Sequence, residues 1–65
     1  MIRTMCISNK GYRYELEVGE TYYFSRDFSA TTPTNVVFGN CYKYVEDIGL
    51  CYLGLYPRNL FAIIQ

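Results

Sequence analysis

Residues 54–61 read GLYPRNLF: a glycine, two apolar residues, Pro57-Arg58-Asn59, then Leu60 and Phe61. A proline with no amide proton cannot continue a hydrogen-bonded central strand, and its φ is preset near −65°. Pro57 therefore predicts a strand end followed by a single turn of 3₁₀ helix. Asn59 is expected to steady that turn through a side-chain bond to nearby backbone. Phe61 then returns to the core and opens a last short strand, FAIIQ.

Outward from this octet the chain is punctuated often, and no helical period appears. Residues 2–7 (IRTMCI) suit a first strand closed by Ser8-Asn9-Lys10-Gly11. In YRYELEVGETYYF, Leu16, Val18, Tyr22 and Phe24 form the expected inward set. Their two-residue spacing on either side of Gly19 predicts strand, turn, strand. Residues 25–35, with Pro33, read as a surface loop with Phe28 tucked back. Val36-Val37-Phe38 is expected to be a short strand ended by a tight hairpin at Gly39-Asn40. In 41–46, Tyr42 and Tyr44 fall on one face, Lys43 and Val45 on the other. Asp47-Ile48-Gly49 turns the chain, and the nearly all-apolar run Leu50–Tyr56 reads as a strand covered on both sides or at the centre of a barrel. Five or six short antiparallel strands with one 3₁₀ turn make an all-β protein. They form one domain over residues 1–65, a small barrel whose closure removes exposed edges.

The composition narrows function. Of 65 residues, 51% are hydrophobic and eight are Tyr; six basic and six acidic residues cancel and are scattered singly. Without a cationic cluster, the counterion release that drives non-specific nucleic-acid binding is small. There is no His, no phosphate loop and no paired carboxylate in a cleft context, so no catalysis, cofactor or metal is expected. Three cysteines without a signal-like leader point to free thiols and a cytoplasmic, reducing setting. Cys41 and Cys51 read as small buried hydrophobes ahead of a cross-strand pair. No apolar run reaches membrane-spanning length.

GLYPRNLF resembles the signature that closes SH3 domains, matched at Gly54, Leu55, Tyr56, Pro57 and Asn59, with Phe61 in place of a valine. LEVGETYYF is similar to the SH3 segment leading into its second strand, and together the two cover 17 of 65 residues. A wider pattern resembles short SH3-like proteins of bacteriophages and prophages, through Cys6-Ile7-Ser8-Asn9, Gly11-Tyr12, Leu16, Val18-Gly19, Tyr22, Gly54, Tyr56-Pro57 and Phe61. The resemblance implies an SH3-like small β-barrel and a protein-binding role. The chain has no Trp, and Leu60 stands where SH3 domains carry a ligand-touching tyrosine, so ordinary proline-rich peptide recognition is not expected. The expected function is a non-catalytic interaction module, a phage or prophage factor that inhibits or redirects a host protein. Its expected contact residues are Tyr12, Tyr14, Pro57 and Leu60, and a homodimer is allowed. The alternatives are a single-stranded nucleic-acid platform built on Tyr23, Tyr42 and Tyr44 with Lys43 and Arg26, and an oligomeric nucleotide-sequestering protein.

Overall fold

A computed structural model describes the backbone of residues 1–31 and 36–64, and the side chains of 1–26 and 36–64. Five strands form one sheet: β1 (Ile2–Cys6), β2 (Thr21–Thr31), β3 (Val37–Val45), β4 (Gly49–Pro57) and β5 (Phe61–Ile63). All neighbours are antiparallel, in the order β4-β3-β2-β1-β5. The 3₁₀ turn Arg58–Leu60 sits between β4 and β5. Pro57, at φ −61°, ends β4 and caps the turn, as its ring dictates. Asn59 is exposed, and its side chain makes no hydrogen bond with a described residue. The turn is fastened instead by the Phe61 amide on the Arg58 carbonyl and by the Leu60 carbonyl, which accepts from Ile7 (2.8 Å) and Ser8 (3.3 Å).

The sheet does not close into a barrel: β4 and β5 are its two edges. It is nevertheless strongly rolled. Four interstrand steps of about 4.8 Å would separate the edges of a flat sheet by roughly 19 Å. The three-residue turn that joins those edges advances only about 6 Å. The end of β4 is therefore brought round to the start of β5.

The concave face holds the core: Cys6, Leu16, Tyr22, Phe24, Cys41, Tyr56 and Phe61, with Thr4 buried among them. Phe61 lies edge-on to both Phe24 (centroids 4.7 Å apart) and Tyr22 (5.6 Å), and Tyr12 packs edge-on against Tyr56 (5.4 Å). Thr4 is satisfied by donating to the Tyr22 carbonyl at 3.0 Å. Residues 12–18, expected as a strand, are instead part of a looped strap over residues 7–20 that crosses this face. The Leu16 amide bonds the Tyr12 carbonyl, Asn9 Nδ2 bonds the Leu16 carbonyl (3.1 Å), and the Tyr22 hydroxyl accepts from the Glu17 amide (3.0 Å). Leu16 is thereby driven inward. Val18 is thrown out, at 57% exposure, because the strap turns rather than alternates.

Three further expectations are corrected. Residues 25–31, read as loop, continue β2 past two register shifts, while 32–35 and the side chain of Phe28 lie outside the described residues. Gly39-Asn40 is no hairpin; both sit inside β3. Gly39 is there because a Cβ would stand 2.9 Å from Phe24 Cδ2 and 3.2 Å from Arg58 Cδ. The Arg58 guanidinium lies over the Phe24 ring, 4.8 Å from its centroid. Finally, β4 is an edge rather than a covered strand, and Leu50, Tyr52, Leu53 and Leu55 are all exposed. The expected turn at Asp47-Ile48-Gly49 is present, with Asp47 at φ 73°.

Burial pushes the Cys41 thiol from an ordinary 9.0 up to about 12, with the nearby Cys6 thiol adding to the effect; burial also raises Cys6 and Tyr56. The folded state thus keeps these protons longer than the unfolded chain does. Their contribution is intact below about pH 9 and is lost as pH rises toward 12. Urea midpoints measured in reductant should be level from pH 7 to 8.5 and fall above pH 9. An unchanged midpoint at pH 10.5 would refute the buried-thiol assignment. Phe61→Ala should cost about 3–5 kcal/mol, and Gly39→Ala about 1–3 kcal/mol by overpacking against Phe24, both read from the same unfolding curves.

Candidate interaction surface

Cross-strand register makes the convex face aromatic. Arg3 of β1 lies opposite Tyr23 of β2, Tyr23 opposite Tyr42 of β3, and Tyr42 opposite Tyr52 of β4. Directly opposed residues point to the same side of a sheet. The four therefore form one row across four strands, roughly 15 Å long at the usual strand spacing. Tyr44 opposite Leu50 and Asn40 opposite Leu55 flank the row on the same face.

The rings are organised. Tyr42 and Tyr52 sit 5.2 Å apart at 57°, and the Tyr52 hydroxyl donates to Asn40 Oδ1 at 2.9 Å. Tyr44 and Tyr52 are 58% and 56% exposed.

Tyr52 and Leu55 share a face although they are three apart, because β4 carries a bulge. Its register with β3 slips between Cys41 and Tyr42, and Gly54 adopts φ 134°, a conformation few side chains tolerate. Without that extra residue, Leu55 would follow the parity of Cys51 onto the concave side.

The four contact residues expected from the sequence are placed differently. The first loop and the closing turn do adjoin, through the Leu60 carbonyl and the Ile7 and Ser8 amides. Yet Pro57 is buried, and Tyr12 and Leu60 are half-buried against the core. Tyr14 alone is broadly open, at 88%, with the Arg13 guanidinium 5.2 Å from its ring centroid. Of the aromatic-platform residues, Tyr23, Tyr42 and Tyr44 are brought together. Lys43 points to the concave side, its Nζ 5.7 Å from the Tyr22 centroid. Arg26 lies with Arg3, Ile2 and Ile63 along a depression of about 470 Å³. The sequence did not single out Tyr52 or Arg3. The register of β4 against β3, which runs unbroken from the Asp47-Ile48-Gly49 turn, adds Tyr52 to the row.

All three cysteines are free, and Cys6 and Cys41 are buried in the core. Among the described residues no His/Cys/Asp/Glu group is arranged to hold a metal, and no helix is long and apolar enough to cross a membrane. Comparison with protein-family models, with curated proteins and with solved structures finds no match.

Brief nitration with tetranitromethane, mapped by peptide mass, should modify Tyr14, Tyr44 and Tyr52 first and spare Tyr22. Early nitration of Tyr22 would contradict the assignment of faces.

Proposed function

We propose that this chain is a non-catalytic protein-interaction module whose binding surface is the convex tyrosine row with its flanking Leu50 and Leu55. The observation that carries this reading is the row itself. Tyr23, Tyr42, Tyr44 and Tyr52 are gathered on one face while the core occupies the other. Tyrosine supplies large, rigid contact area with a polar tip, and aromatic residues and Arg are enriched where protein interfaces gain their energy. Contiguous exposed apolar area of this kind favours an interface over a bare solvent face. The resemblance to phage and prophage SH3-like proteins makes a host protein the partner to seek first.

A second reading, single-stranded nucleic acid, draws on the same row, because bases stack on successive aromatics. Arg3 at the end of the row favours it. The zero net charge and the turning-away of Lys43 weigh against it.

The test is a pull-down with tagged protein from candidate host extract, followed by titration of the recovered partner. Tyr44→Ala with Tyr52→Ala should weaken binding at least tenfold and leave the circular dichroism unchanged. Tyr14→Ala should change it less than twofold. The reverse ranking would move the surface to the first loop. Steep loss of affinity between 50 and 200 mM salt would favour nucleic acid instead.

A further inference from the structure

β4 is a free edge, and its chemistry suits a copy of itself. Among the described residues its outer side carries no strand, so alternate N–H and C=O groups face away from β3. The other edge, β5, is three residues long, whereas β4 is nine. From Gly49 to Pro57 the edge reads GLCYLGLYP, without a single charge. Antiparallel pairing of two identical strands across a two-fold axis sets each residue against the one equally far on the other side of the centre, and only the central residue against its own counterpart. With no charge anywhere on this edge, no such pairing brings like charges together or leaves a charge unpaired.

The length of usable edge is set by the bulge. Gly54 bends the strand, leaving Gly49–Leu53 as an uninterrupted run centred on Cys51. Pairing centred there places Leu50 against Tyr52 of the second copy on the convex face, an aliphatic–aromatic cross-strand pair. Apolar side chains accompany the open main-chain edge: Ile48, Leu50, Tyr52 and Leu53, on or beside this run, are between 38% and 73% exposed. Oligomerisation is also a usual brace where a core is small and no disulfide spans it.

We infer that two copies pair through the Gly49–Leu53 edge of β4, with the two-fold axis at Cys51. The axis of such a pair is normal to the sheet, so the two tyrosine rows lie on the same side of a continuous ten-stranded sheet. This extends the protein-binding reading by doubling its surface, but it does not depend on it. Dimerisation is read from mass and partner binding from titration, so either can fail alone.

Light scattering coupled to size exclusion, from 10 to 500 µM in reductant, should give a species approaching twice 7.6 kDa. Leu50→Lys, and independently Tyr52→Lys, should lower it to a single chain with circular dichroism unchanged; two variants guard against one that fails to fold. Opposed Cα atoms about 4.5–5.5 Å apart lie within disulfide range. Mild diamide treatment should therefore give a Cys51–Cys51 covalent dimer. Cys51→Ser should abolish the cross-link while leaving the non-covalent dimer. A single chain at 500 µM overturns the inference, as would an extended segment of another protein as the only occupant of this edge. A dimer that survives both lysine variants and never cross-links overturns it too.

Discussion

The packing of Phe61 against Phe24 and Tyr22 is the constraint on which the rest of the structure depends. Phe61 is the first residue after the 3₁₀ turn, so anchoring it in the concave face pulls the two edges of the sheet toward one another. Three features serve this contact. Pro57 stops β4 at the right residue, Gly39 leaves room for the Phe24 ring, and the Arg58 guanidinium lies over that ring. Edge-on aromatic pairs add about 0.5–1.5 kcal/mol each beyond area burial. In a small domain whose total stability is of order 5–15 kcal/mol, a few such contacts are a large share.

Rolling the sheet toward one face decides what the other presents. With Tyr22, Phe24, Tyr56 and Phe61 committed to the core and Leu16 strapped over it, Tyr23, Tyr42, Tyr44 and Tyr52 are left on the convex side. The bulge at Gly54 joins the two halves of the arrangement. It returns Tyr56 to the core while keeping Tyr52 and Leu55 outside. The same bulge limits how much of β4 is straight enough to pair.

Much of this was legible in the sequence wherever a residue's covalent geometry dictated local structure. Pro57 announced the turn, Phe61 the re-entry, and the alternation of 41–45 the separation of Tyr42 and Tyr44 from Lys43. Misreadings arose where one residue type serves two physical purposes. Gly39 beside Asn40 reads as a hairpin, yet the glycine answers a distant aromatic ring, which adjacent residues do not reveal. The apolar run 50–56 reads as covered on both sides, but apolarity does not distinguish a core strand from an edge that awaits a partner. Val18 fits a strand period that the hydrogen bonds of Asn9 and Tyr22 override. The contact residues Tyr12, Tyr14, Pro57 and Leu60 followed from resemblance; in this chain Pro57 is buried and Tyr12 and Leu60 pack against the core, while Tyr14 stays open.

The central claim is that Phe61 and Phe24 act as one unit to roll the sheet, and a double-mutant cycle tests it directly. Unfolding free energies would be measured for Phe24→Leu, Phe61→Leu and the double variant. The account predicts a coupling of at least about 0.5 kcal/mol between the two positions, beyond the error of additivity for independent sites. Strict additivity would mean that the two rings stabilise the fold separately, and would contradict the account.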